Sequence, residues 1–115
     1  MFGHSSVLHI NARPVPCEVA RARSFWARAR GLLWRPALTQ QQGLWIERCD
    51  SIHTVGMGYA IDAVFLDAQD HVLRVCENVP PWRFRLCAKA ASVLELQAGR
   101  ARVLGIAPGQ LLGHG

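Results

Sequence analysis

The stretch Ile61-Asp62-Ala63-Val64-Phe65-Leu66-Asp67-Ala68-Gln69-Asp70-His71-Val72-Leu73-Arg74-Val75 decides the fold class. Its first arm is rich in β-branched and aromatic residues and too short for a helix of average length. Asp67, Ala68, Gln69 and Asp70 form a polar bridge to the second arm, with Asp67 placed to hydrogen-bond its own turn. The reading is a β-hairpin. In the first arm Ile61, Ala63 and Phe65 alternate with Asp62, Val64 and Leu66, so both faces are largely apolar and the strand belongs inside a sheet. Asp62 then points where core side chains point. A carboxylate in that position needs hydrogen bonds from backbone or from a partner such as His53, Thr54 or an arginine.

Working outward, residues 6–10, 17–20, 43–46, 51–55, 60–66, 71–75 and 91–96 share the strand-forming composition, each run bounded by turn residues. Pro14 and Pro16 cannot sit in a central strand and are expected to separate the first two runs. The period changes at Ser24. Phe25, Trp26, Ala29, Leu32 and Leu33 fall on one side of a helical wheel, with Arg23, Arg28, Arg30 and Arg35 opposite. An amphipathic helix over 24–34 is expected, with Ser24 as N-cap, Pro36 as stop, Trp26 and Leu32 buried, and Arg28 and Arg30 exposed. Pro80 and Pro81 imply an extended, exposed connection over 78–82. Residues 99–106 form a short helix ended by Gly105, and Pro108-Gly109 turns the chain into Leu111 and Leu112. The expected architecture is one compact, mainly β domain spanning residues 1–115, a β-sandwich or barrel of about seven to nine strands. One amphipathic helix and a short C-terminal helix near 99–105 complete it.

Composition fits one hydrophobic core. The chain has 115 residues, half of them hydrophobic, and a mean hydropathy of +0.11, which excludes a two-domain enzyme and wholesale disorder. The net charge of +5 would suit an anionic partner, but Lys89 is the sole lysine and the remaining cations are arginine, a skew that GC-rich coding produces unaided. Residues 1–16 lack the basic start and apolar run of a secretory signal, and no run is long enough to span a bilayer. A cytoplasmic monomer without membrane contact is expected, with Cys17, Cys49, Cys76 and Cys87 as free thiols.

Five segments follow in order: Arg30-Gly31-Leu32-Leu33, then Ser51-Ile52-His53-Thr54-Val55-Gly56-Met57, then Ile61-Asp62-Ala63-Val64-Phe65-Leu66-Asp67, then Val93-Leu94-Glu95-Leu96-Gln97-Ala98-Gly99, then Leu104-Gly105-Ile106-Ala107-Pro108-Gly109. From about residue 17 to 112 the chain resembles the bacterial and archaeal domain of unknown function family 192. The resemblance implies a compact, mainly β domain with a small helical component, and no established activity. The family pattern commonly carries a cation after the Met and proline before the Ile-Asp pair, where this chain has Gly58 and Ala60. It also tends to have proline at the Gln97 position and glycine where Asp70 stands.

Ser51, His53, Thr54, Met57 and Asp62 are the candidate ligand-binding residues, because they gather the richest chemistry in the chain. His53 with Asp62 could also work as an acid–base pair in a small enzyme. The competing reading makes His53 a structural histidine and Asp62 a turn-capping residue. Zinc on Cys49, His53, Cys76 and Cys87 is not expected: four residues of a strand span about 13 Å, too far for two ligands of one ion. Trp82-Arg83-Phe84-Arg85 and the arginines 21, 23, 28, 30 and 35 would suit nucleic acid, yet no nucleic-acid-binding motif accompanies them. No phosphate loop or cofactor motif is present. The expected function is a non-enzymatic module binding a small molecule or peptide in a groove near His53, Met57 and Asp62, without cofactor or metal.

Overall fold

The computed structural model describes residues 5–22 and 37–115. The amphipathic helix expected over 24–34, with its buried Trp26 and Leu32, lies outside the described residues. Nine strands and one short helix are present among those described: β1 (Ser5–Ile10), β2 (Arg13–Ala22), β3 (Gln42–Glu47), β4 (Ser51–His53), β5 (Ile61–Leu66), β6 (Val72–Val79), β7 (Phe84–Leu86), β8 (Ser92–Gln97), α1 (Arg100–Leu104) and β9 (Leu112–His114).

Seven strands form one sheet in the order β6-β5-β8-β3-β2-β1-β9, and β4 pairs with β7 in a second, two-stranded sheet. Every pairing is antiparallel except β2 with β3. The large sheet curls until its edges touch at the bridge His71–Leu111, without closing into a barrel. The fold is mainly β and sandwich-like, with two apolar layers on opposite faces of the large sheet. Inside the curl lie Leu8, Val19, Trp45, Val64, Leu66, Leu94, Leu96 and Leu112. On the other face Leu44, Ile46, Ala63, Phe65 and Val93 pack with Ile52 and Met57 of the β4 region. This double burial explains why every residue of β5 is buried.

The hairpin forms as its sequence dictates. The Asp67 carboxylate accepts the N–H groups of Gln69 and His71, both at 2.9 Å. Asp70 takes a left-handed φ of 67°, a conformation that glycine adopts at no steric cost and aspartate tolerates. The helix α1 ends at Gly105, left-handed at φ 75°, as expected.

Elsewhere the structure corrects the expectation. Pro14 and Pro16 do not separate strands but lie within β2. They fit because β3 pairs with β2 only from Glu18 onward, so among the described residues the proline-bearing arm has no strand neighbour on that side. The run expected over 51–55 stops at His53, where Thr54 begins a turn closed by the bond from Met57 N–H to Thr54 C=O. The expected connection over 78–82 is shorter, because β6 continues to Val79 across a bulge. Strands β7 and β9 were not expected; each has three residues, too few to display a period.

Candidate functional site

Asp62 is fully buried and acts as a three-way acceptor. Its Oδ1 accepts the Asn78 N–H at 2.8 Å, and its Oδ2 accepts those of Gly99 at 3.0 Å and Ala101 at 2.9 Å. Asn78 sits with φ 51° where β6 carries one extra residue against β5, so its N–H has left the ladder. The other two donors open α1, whose first N–H groups have no partner within the helix. One carboxylate therefore ties the bulge to the helix start. None of its bonds goes to His53, so the sequence-adjacent pair is not joined as an acid–base couple.

Thr54, also fully buried, is the second anchor. Its hydroxyl donates to Pro80 C=O at 2.6 Å and accepts Arg83 N–H at 2.9 Å, while its carbonyl accepts Trp82 N–H at 3.1 Å. These bonds clasp the Pro80–Pro81 turn to the end of β4. Thr54→Val removes the hydroxyl at nearly constant volume and leaves Arg83 N–H without its acceptor. Urea unfolding should show a loss of about 1–3 kcal/mol. A loss below about 0.5 kcal/mol would mean that water replaces the clasp.

Met57 is buried against Ile52 and Phe65, and Ser51 is half-buried. His53 alone of the five candidates is exposed. In β4 it stands opposite Phe84 of β7, and Ser51 stands opposite Leu86. Strand alternation puts these four on one outer face, with Ile52 turned inward to the core. Phe84 is 62% exposed and Leu86 51%, while Trp82 and Val55, just beyond the strand ends, are 65% and 44% exposed. The sequence reading singled out Trp82 and Phe84 only as possible base-stacking residues. Leu86 and Val55 gave no signal, because their exposure depends on a pairing that neither strand announces.

The edge of β7 facing away from β4 is lined with arginine. Arg83 donates to Trp82 C=O at 3.2 Å, Arg85 to Phe84 C=O at 2.9 Å, and Arg74 to Leu86 C=O at 3.0 Å. None of the three is salt-bridged to a carboxylate among the described residues. Arg21, grouped by sequence with a basic helical face, instead lies in β2 and is ion-paired with Glu47.

The four cysteines are free thiols, and the described residues contain no cluster of three or more His, Cys, Asp or Glu side chains placed to hold a metal ion. Cys49 donates its thiol to Ser51 C=O at 2.9 Å. Burial pushes the Cys17 thiol up to about 11, against a smaller opposing pull from Arg100. At a pH near 8 that upward shift alone lowers the thiolate fraction by about a hundredfold. Cys17 should accordingly be the last thiol to react with a disulfide-exchange reagent in the native protein, and all four should react after unfolding without prior reduction. Mapping labelled peptides by mass spectrometry reads the order.

No helix among the described residues is long and apolar enough to cross a membrane. No curated protein matches the chain. Among solved structures, it is similar to a protein of unknown function from Novosphingobium aromaticivorans, at 22% identity and a TM-score of 0.81, covering 95% of this chain and 83% of the other. It is also similar to a protein from Sinorhizobium meliloti titled a "putative transcription regulator", at 22% identity and a TM-score of 0.83, covering 96% of this chain and 93% of that one. At that identity both likenesses show the fold alone. The family model matches residues 7–114, nearly the whole length, and the chain belongs to the DUF192 family, described as Uncharacterized ACR.

Proposed function

We propose that this domain is a non-enzymatic binding module that takes a peptide bearing apolar and acidic side chains on the outer face of β4 and β7. The observation that carries the reading is the exposure of Phe84 and Leu86 on one small sheet beside His53, with Val55 and Trp82, also substantially exposed, just beyond the ends of its strands. Exposed apolar groups gathered in this way mark interaction surfaces, whereas scattered ones need no explanation. Trp82 also sits at a left-handed φ of 64°, which is costly for a bulky residue. The Thr54 clasp holds it there.

The charge of the occupant follows from the arginine edge. Arg85 and Arg74 occupy the outward carbonyls of Phe84 and Leu86 in β7, and Arg83 that of Trp82 just before it, which disfavours addition of a partner strand there. Contact through side chains is favoured, and carboxylates are what the guanidinium groups lack. Of the sequence candidates, His53 and Ser51 would touch the occupant, Thr54 and Met57 would hold the loop behind them, and Asp62 would serve the scaffold.

Fluorescence anisotropy with labelled extended peptides tests this, using alternating Glu and Leu or Phe against the same peptides with Lys for Glu. The acidic peptides should bind, and Phe84→Ala and Leu86→Ala should weaken them by about tenfold or more while leaving the melting temperature nearly unchanged. Indifference to both substitutions would overturn the reading. So would preferential binding of a single-stranded oligonucleotide with steep loss of affinity in salt, which would move the same surface to nucleic acid.

A further inference from the structure

A second site emerges from the inward-facing rows of the large sheet. Within the curl, each row is apolar until it nears one end. On β2 the row passes from Val19 to Arg21, on β3 from Trp45 to Glu47, and on β8 from Leu94 to Ser92. The register sets these changes side by side, because Arg21 is paired with Trp45 and Glu47 with Ser92. The β5–β6 turn and the end of β9 form the remaining wall, contributing Asp70 and His114. The result is a hollow of about 340 Å³, within the size range of small-molecule sites.

Two of its polar groups make no side-chain hydrogen bond or salt bridge among the described residues. Ser92 is only 6% exposed, lines the hollow, and makes no side-chain hydrogen bond. The side chain is more than nine-tenths enclosed, and its hydroxyl opens to the hollow and is not sealed in the core. The Asp70 carboxylate likewise has neither a hydrogen bond nor a salt bridge. Its left-handed backbone fixes it at the rim. The other charges are already engaged: Arg21 with Glu47, and Asp67 with the turn N–H groups of Gln69 and His71. His114 packs on Trp45, ring centroids 4.8 Å apart and tilted by 52°, and its Nδ1 lies 3.0 Å from the Ser6 hydroxyl.

We propose that this hollow binds a small organic cation, an alkylammonium or guanidinium, with Asp70 as its counter-ion and Ser92 as its buried hydrogen-bond acceptor. The sign follows from the pairing. Among the described side chains, Glu47 is ion-paired with Arg21 and Asp67 is engaged by its turn and by His71, while the Asp70 carboxylate makes no hydrogen bond or salt bridge. Burial, Asp67 and Glu47 push the Asp70 carboxyl up from its ordinary value against opposing pulls from Arg21 and His71, so the nearby cations do not fully offset the acidic surroundings. An organic cation fits better than a metal ion, since no three ligating side chains converge among the described residues while an aromatic pair forms part of the wall.

The test is a nuclear magnetic resonance titration of the whole chain with 1,4-diaminobutane and with agmatine, using glutarate as the anionic control. Either cation should give saturable shifts of the Trp45 indole N–H and the Ser92 amide. Asp70→Asn, which keeps the left-handed backbone accessible, and Ser92→Ala, a small change, should each weaken binding by about tenfold or more with the fold intact. Affinity should also fall as acidification protonates Asp70. The absence of saturable shifts at millimolar concentration, binding of glutarate in place of the cations, or unaltered affinity in both variants would overturn the proposal. None of these outcomes bears on the β4–β7 face, whose probes and substitutions are different.

Discussion

Asp62→Ala should destabilise the domain by about 3–5 kcal/mol, the upper end of what a single polar truncation causes. The magnitude follows from the donors left behind. Asn78 N–H, Gly99 N–H and Ala101 N–H all lose their acceptor at once, and the Ala101 site is buried too deeply for water to reach freely. A stranded buried donor costs roughly 1–3 kcal/mol, and the three share one cavity, so their costs do not add in full. Asp62→Asn should cost about 2 kcal/mol. Its amide oxygen can serve the Gly99 and Ala101 pair, but its NH2 then meets the Asn78 N–H, donor against donor. Urea unfolding of the two variants, with hydrogen exchange at Asn78 and Ala101, reads both the energy and its location. If both variants melted with the parent protein, the carboxylate would have to be engaged outside the scaffold, as a ligand contact would require.

The same residue shows where sequence reasoning stops. That Asp62 points to the core and needs hydrogen bonds was legible in the alternation of Ile61 to Leu66. Its partners were not, because the Asn78 N–H is freed by a bulge in β6 and the other two donors open a helix nearly forty residues downstream. Local signals were sufficient wherever structure is local: the Asp67 turn, the left-handed Gly105 cap, and the doubly apolar β5. They failed where pairing is distant. Strand β9 is defined by its bonding to β1 about a hundred residues away, and β7 by lying against β4 across the Thr54 clasp. Proline misled at β2 for a related reason, since its cost depends on whether a neighbour occupies that side, which only the topology decides.

The candidate site divides along the same line. Sequence proximity grouped Ser51, His53, Thr54, Met57 and Asp62, but period-two geometry sends alternate side chains to opposite faces. His53 reaches the surface, whereas Thr54 and Asp62 turn inward and their polar groups are consumed by backbone donors and acceptors. The hollow around Ser92 and Asp70 needed the register of four strands before its residues could be seen as neighbours. Its trace in the sequence is a polar residue where an apolar row should continue, at Arg21, Glu47 and Ser92, and that trace has meaning only once the rows are aligned.

Two phenylalanines give the sharpest measure of how unevenly the fold distributes its stability. Phe65 is fully enclosed, lying between Val93 of β8 and Arg74 of β6 in the ladder and packing with Ile46, Ile52 and Met57 on the face that carries the small sheet. Phe65→Ala should cost about 3–5 kcal/mol, the lost transfer energy of the ring plus that of the void it leaves. Domains of this size are stable by only about 5–15 kcal/mol in total, so the urea midpoint should fall steeply while the slope stays constant. Phe84→Ala removes the same atoms from a side chain that is mostly in water and should cost under about 0.5 kcal/mol. The contrast is what a ring retained for contact, not for folding, must show. Were the two losses comparable, Phe84 would have to be covered in solution, and the outer face of β4 and β7 would no longer be free to meet a peptide. A small loss at Phe65 alone would mean that the layer bearing Ile52 and Met57 collapses into the void, tying the contact face to the core more loosely than the packing requires.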